Sequence, residues 1–293
     1  MFDIDFETLR ATRASNPGAI AEALAKRSRR DLLGADGRLL LVAADHPARA
    51  ALGIGKSALA MADREDLLQR LAVALSNPAV DGVLATPDII DDLALLGLLE
   101  DKVVVGSMNR GGLRGAVFEM DDRFGSYSID SMVSSGLDFA KTLTRINFQD
   151  AGTAGTLEAT AEAVNDAVAA KLPIMIEPFI SERVEGRIEN NLSLEAVIHS
   201  IAIVAALGGS SAYTWLKIPY VADMERVMKS TTLPTLILGG DRIGDMESLY
   251  QDWTRALTID GVRGLVVGRS LLYPSSGTVE ENVARVGAIV HTP

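Results

Sequence analysis

The chain has no cysteine and only three histidines, His46, His199 and His291, among 293 residues. The first absence excludes a disulfide scaffold, a thiolate nucleophile and thiolate-bound zinc. The second argues against a multi-histidine metal cluster, so neither a metal site nor a cofactor is expected. Positive charge is also short. Lys plus Arg total 28 against 39 Asp plus Glu, a net charge of -11. Such a chain repels phosphate backbones and is not expected to bind nucleic acid. Long apolar runs are missing too. IHSIAIVAALGG at 198–209 is too short to span a bilayer, so no membrane partner is expected. The first residues, MFDIDFETLRATRASNP, are acidic and polar and show no signal peptide, which makes the cytoplasm the expected compartment.

What is present is apolar material for a sizeable core, at 48% hydrophobic residues. Neither a low-complexity tract nor a Pro/Ser-rich linker divides the chain. Eight short apolar runs recur: LLLVAAD (39–45), VDGVLAT (80–86), KVVVGSM (102–108), TLTRINF (142–148), PIMIEPF (173–179), YTWLKIP (213–219), PTLILGG (234–240) and GLVVGRS (264–270). Amphipathic stretches lie between them. SALAMADREDLLQRLAVALSN spaces its apolar residues as a helix does. TLEATAEAVNDAVAAKL offers Thr156 as a cap and early acids, and NLSLEAVIHSIAIVAALGG stops at two glycines. MESLYQDWTRALTIDG is amphipathic and ends at a glycine.

Strands that are continuously apolar rather than alternating fit a parallel sheet covered by helices. Eight strand–helix repeats in about 250 residues predict a single (β/α)8 barrel, with a doubly wound open sheet as the alternative. The expected division is one domain over 1–293, with an N-terminal helical extension (1–37), a barrel core (38–273) and a C-terminal helix (274–293). The extension is expected to cap the bottom of the barrel.

In such a barrel the chemistry gathers at the C-terminal strand ends. The first strand ends in Asp45-His46, the third leads to Ser107, Asn109 and Arg110, and the fourth carries Arg145 and Asn147. The fifth ends in Glu177, the sixth carries Lys217, the seventh ends in Gly239-Gly240-Asp241 and the eighth in Gly268-Arg269-Ser270. Lys217, in YTWLKIPY, is costly to bury, and desolvation lowers a lysine's pKa and frees an amine to attack a carbonyl. It reads equally as a lysine that snorkels to solvent or pairs with Glu177. Glu177, amid Ile, Met, Pro and Phe, reads as a proton shuttle with a raised pKa, or as a salt-bridge partner of Arg145 or Lys217. Asp45 reads as a third carboxylate of the same basin or as a turn cap before Pro47. Arg145 could bind an anion, lower the pKa of Lys217 or serve as a structural partner, and His46 adjoins Asp45 and could line the site. The glycines after the last two strands suit phosphate binding through backbone N–H groups, with Arg269 adding a charged contact. GIGKS at 53–57 lacks the first glycine of a phosphate loop and reads as a loop into a helix. His199 reads as a packed or rim histidine.

The combination ADHP, IEPF, WLKIPY, LILGGD and GLVVGRSLL resembles the class I aldolases built on (β/α)8 barrels. That group includes deoxyribose-phosphate, tagatose-bisphosphate and archaeal-type fructose-bisphosphate aldolases. The resemblance runs over about residues 38–273. It looks closest to actinobacterial aldolase-like barrels that accompany inositol-catabolism genes. It implies Lys217 as the Schiff-base lysine, Asp45 as a proton-transfer aspartate and Glu177 as the glutamate of the tagatose type. It also implies Gly239, Gly240, Gly268 and Arg269 as the phosphate-binding segment, with Ser107, His46, Arg145 and Asn147 left for the rest of the substrate. The fourth strand departs from the family, offering Arg145 and Asn147 where relatives often carry a lysine. The implied partner is a phosphorylated sugar or sugar acid such as 2-deoxy-5-keto-gluconate 6-phosphate, and the implied assembly is a homo-oligomer. A metal-free sugar-phosphate isomerase or epimerase and a non-catalytic sugar-phosphate-binding barrel are the competing readings.

Overall fold

The computed structural model describes residues 2–109, 112–240 and 246–291. Arg110 and Asp241, both predicted at strand ends, lie outside the described residues. Among the described residues nine strands form: β1 (Leu39–Ala43), β2 (Gly82–Ala85), β3 (Val103–Ser107), β4 (Phe139–Ile146), β5 (Ile174–Val184), β6 (Arg187–Asn190), β7 (Thr214–Ile218), β8 (Thr235–Leu238) and β9 (Val262–Val267). The helices are α1 (Phe6–Ser15), α2 (Gly18–Lys26), α3 (Arg64–Ser76), α4 (Pro87–Leu95), α5 (Ile129–Ser134), α6 (Gly152–Ala170), α7 (Leu194–Val204), α8 (Met224–Met228), α9 (Met246–Leu257), α10 (Arg269–Leu272) and α11 (Val279–His291).

Eight strands run parallel in the order β4-β3-β2-β1-β9-β8-β7-β5, and a further β4–β5 pairing closes the ring. The result is the expected (β/α)8 barrel. β6 stands outside it, turned back antiparallel on the end of β5.

Side chains alternate across each strand, so parity decides which residues face the barrel interior. Leu39, Leu41 and Ala43 of β1 pack inward with Val103, Val105, Phe139, Met175, Trp215, Leu236 and Val266. Leu40, Val42 and Ala44 face the helices instead. Phe139 and Trp215 meet edge to face, with ring centroids 5.5 Å apart. Carrying the inward parity one step beyond this apolar layer gives Asp45, Ser107, Lys141, Glu177 and Lys217. Each of these polar groups therefore sits on a dry floor.

Several local expectations change. β4 begins at Phe139 rather than Thr142, which brings Lys141 into the strand. α3 begins only at Arg64, capped by Asp63, whose carboxylate accepts from Asp66 N, so residues 57–63 belong to the preceding loop. Thr156 lies inside α6 rather than capping it, and its hydroxyl accepts from Asp122 N at 3.0 Å. The N-terminal helices do not plug the barrel. α1 is held to the flank by Arg13, which pairs with Asp92 of α4 at 2.7 Å. Leu32 and Leu33, after α2, are the residues of this extension that pack against the inner core.

Candidate active site

At the C-terminal strand ends the barrel opens into a cavity of about 470 Å³. On its floor lies a row of alternating charge drawn from four strands. Lys217 Nζ donates to Glu177 Oε1 at 2.7 Å. Lys141 Nζ stands 2.6 Å from Glu177 Oε2 and 3.2 Å from Asp45 Oδ2. Ser107 Oγ donates to Asp45 Oδ2 at 3.0 Å. Lys141 is 2% exposed, Lys217 and Asp45 are each 5% exposed and Glu177 is 8% exposed. Four charges this deep persist because each faces an opposite one; removing a single member would strand a buried charge.

The electrostatics follow from that order. Burial pushes the Lys217 ammonium below the ordinary lysine value, and neighbouring Lys141 pushes the same way, while Glu177 opposes both. Burial alone would raise Glu177, but Lys141 and Lys217 outweigh it and hold the carboxyl down to about 2. The raised pKa expected for this residue is thus corrected: its apolar sequence neighbours face away, and its carboxylate meets two ammonium groups. His46 lies at the rim of the row, its Nδ1 3.8 Å from Asp45 Oδ1 and without a hydrogen-bond partner. Burial, reinforced by Arg269 and Lys217, pushes its pKa down to about 4, so the ring is neutral at ordinary pH.

The fourth strand does carry a buried lysine, Lys141. Lys141 occupies the inward position that the expectation left to Arg145. Its signal was present in FAKTLTRI, where a lysine sits at the same parity as Phe139 and Leu143. Arg145 is spent elsewhere. Its Nε and Nη2 donate to Asp122 at 2.8 and 2.7 Å, and its Nη1 lies 3.2 Å from Glu119 Oε1. These two carboxylates, outweighing the cost of burial, raise its pKa. Arg145 therefore borders the cavity while anchoring the loop after β3, and its charge is answered there rather than at Lys217. Asn109, from the same strand end, clasps β4 by accepting from Leu143 N at 2.7 Å and donating to Asp122 O at 2.8 Å. Asn147 does not line the cavity; its side-chain oxygen accepts from Gln149 N in the turn before α6. His199 is exposed on α7. Glu119, Asp122 and Lys141 are the site residues that sequence reasoning missed.

Gly239, Gly240, Gly268 and Arg269 all line the cavity, on the side formed by β8 and β9. Gly268 has a steric reason to be glycine. A Cβ there would stand 2.6 Å from His46 Cε1 and 2.7 Å from Ala43 O. On the opposite rim, the β5–β6 hairpin and the segment after it contribute Ile188, Glu189, Asn190 and Leu192. Among the described residues, no group of three His, Asp or Glu stands together as a metal site would require, and no helix is long and apolar enough to cross a membrane.

The comparisons agree with this architecture. An archaeal fructose-1,6-bisphosphate aldolase, solved with its catalytic lysine covalently bound to a carbinolamine intermediate, superposes with a TM-score of 0.66 at 19% identity, over 93% of this chain and 100% of that one. The fructose-bisphosphate aldolase of Slackia heliotrinireducens gives 0.63 at 14% identity, over 99% of this chain and 89% of that one. Likeness at this level establishes an aldolase-like barrel fold. No curated protein matches the chain in sequence. The crystal structure of Cgl0159 from Corynebacterium glutamicum is far nearer, at 61% identity and a TM-score of 0.96 over 98% of this chain and 96% of that one. The Cgl0159-like family pattern matches residues 37–287, and the chain belongs to that family.

Proposed function

We propose that the protein is a class I aldolase that cleaves or forms a carbon–carbon bond in a phosphorylated sugar or sugar acid through a Schiff base on Lys217. The observation that carries this reading is the buried Lys217, its pKa lowered, at the cavity floor with Glu177 and Lys141 beside it. The Lys217 ammonium lends one proton to the carboxylates of the row, the amine so formed attacks a ketone carbon, and return of that proton expels water and gives an iminium. The bond between the α and β carbons then breaks, its electron pair passing into the iminium to leave an enamine. The β-hydroxyl becomes the aldehyde by giving its proton to a carboxylate. We assign that proton to Asp45, which faces Lys141 and Ser107. Glu177, held well below neutrality, stays ionised as the counter-ion of the iminium. Asp45 returns the proton to the enamine carbon, and water hydrolyses the iminium to release the ketone and restore Lys217.

Gly239, Gly240, Gly268 and Arg269 lie on the side of the cavity next to β7, where backbone amides and a guanidinium suit the phosphate of the ketone half. The substrate we favour is 2-deoxy-5-keto-gluconate 6-phosphate, which yields dihydroxyacetone phosphate and malonate semialdehyde. The test is borohydride reduction in the presence of dihydroxyacetone phosphate, followed by peptide mass mapping. An adduct on Lys217 that is missing from Lys217→Met is the expected result. Absence of any adduct, with this ketone and with a panel of ketose phosphates and small aldehydes, would overturn the aldolase reading.

A further inference from the structure

We infer that Arg49 and Arg114 form a second anion-binding site across the same cavity, so that the substrate carries an oxyanion at each end. The inference rests on the aldolase reading only for where the cleaved bond lies. Both arginines line the cavity. They come from different loops, after β1 and after β3, and the loops are joined where Arg114 N donates to Arg49 O at 3.0 Å. Arg49 is half-buried, yet among the described residues its guanidinium has no carboxylate partner. Its one side-chain polar contact is Nε to Gly112 O, at a long 3.5 Å. A half-buried guanidinium with so little answering it is unusual, because five donors need acceptors. Burial, followed by nearby Arg145, pushes the Arg49 pKa down against the opposing pull of Asp122, Glu177 and Asp45, a penalty that a bound oxyanion would relieve.

The local charge favours an anion. Arg145 with Glu119 and Asp122 leaves that corner one negative charge in excess, and Arg49 with Arg114 turns it to one positive. Position supports the same conclusion. The loop carrying Arg49 leans on Gly112 and Arg114, between β3 and β4. In the ring order β1-β2-β3-β4-β5-β7-β8-β9, the gap between β3 and β4 lies half-way round from the gap between β8 and β9. Gly239, Gly240, Gly268 and Arg269 stand at the latter. Lys217, on β7, sits nearer the glycines, and Lys141, on β4, nearer the arginines. A molecule with its ketone on Lys217 and its first phosphate on the glycines thus extends its aldehyde half toward Arg49. A carboxylate and a phosphate both fit a guanidinium fork.

Calorimetry with ligands that have no ketone or aldehyde, and so cannot form a Schiff base, tests this directly. Mannitol 1-phosphate carries one anion, mannitol 1,6-bisphosphate two phosphates, and 6-phosphogluconate a phosphate and a carboxylate. At fixed ionic strength, one or both doubly anionic ligands should bind about tenfold tighter than the monophosphate, and the better of the two identifies the second anion. Arg49→Gln and the exposed Arg114→Gln, made separately, should each shrink that advantage to about threefold or less. Equal affinities, no measurable binding of either doubly anionic ligand, or an advantage that survives in both variants would overturn the inference. A wild-type advantage that shrinks in the variants, without any Lys217 adduct, would instead sink the aldolase reading and leave the second anion site standing.

Discussion

Glu177 accepts from one lysine on each side, and Lys141 and Glu177 act on Lys217 in opposite senses. Lys141 disfavours the protonated form of Lys217, whereas Glu177 favours it. The two corresponding variants should therefore move the site in opposite directions. Lys141→Met lets the Lys217 pKa rise, so less neutral amine is present and the acid limb of the pH profile for reductive trapping shifts to higher pH. Trapping at neutral pH should slow about tenfold or more. Glu177→Gln removes the carboxylate that stabilises the ammonium, and the same limb should move to lower pH. The rate of cyanoborohydride trapping against pH measures both. A shift of the same sign in the two variants would refute the charge order described here. A purely structural Lys141 would lower protein yield or stability without moving the limb at all.

At the scale of strands and loops, the glycine between β9 and α10 illustrates how closely the site is built. Gly268→Ala must push against a carbonyl of β1 and against the His46 ring. The expected cost is about 1–3 kcal/mol of stability, read from chemical denaturation, together with weaker binding of any phosphorylated ligand. Unchanged denaturation and binding would show that this loop gives way freely. The strands themselves were largely legible from sequence, because buried parallel strands read as continuous apolar runs. The exceptions share one cause. FAKTLTRI carries a charge in its third position, so the apolar signal starts late, at Thr142, and Lys141 is lost from view. The inward parity shared with Phe139, whose ring packs inside the barrel, was the available clue. The hairpin ISERVEGRIEN was invisible for the same reason. It is mostly polar because it projects beyond the barrel and buries little. Glu119 and Asp122 had no periodic signal, since they sit in an irregular loop ordered by a partner some 23 to 26 positions away. The Lys217–Glu177 pairing, by contrast, was readable, because both residues close apolar strands that are neighbours in the ring.

Across the whole molecule, two histidines are displaced in opposite directions. His46, at the rim of the cavity, should titrate near 4. His291, at the end of α11, stands 2.6 Å from Asp36 Oδ2 and 3.2 Å from Asp81 Oδ2. The hydrogen bond that His291 donates to Asp81 outweighs burial and raises the histidine to about 9, with Asp36 adding to the effect. Because the folded value lies above the unfolded one, this clamp contributes its full stability below about pH 6.5 and loses it as the pH rises through about 9. Imidazole resonances followed from pH 3 to about 10 should resolve the two groups. Denaturation of His291→Gln should show a larger deficit at pH 6 than at pH 10; an equal deficit at both would mean that the ion pairs contribute nothing.

The row of two ammonium groups and two carboxylates has one more consequence. An ammonium that condenses with a ketone gives an iminium and water, with the positive charge kept on the same nitrogen. In the proposed reaction, the resting row already holds the charge pattern of the covalent intermediate. Adduct formation then exchanges no net proton with the surroundings. The heat of reaction with dihydroxyacetone phosphate should accordingly be the same in buffers of widely different ionisation enthalpy. A heat that tracks the buffer would mean that Lys217 enters the reaction already neutral, with its proton lost to solvent beforehand.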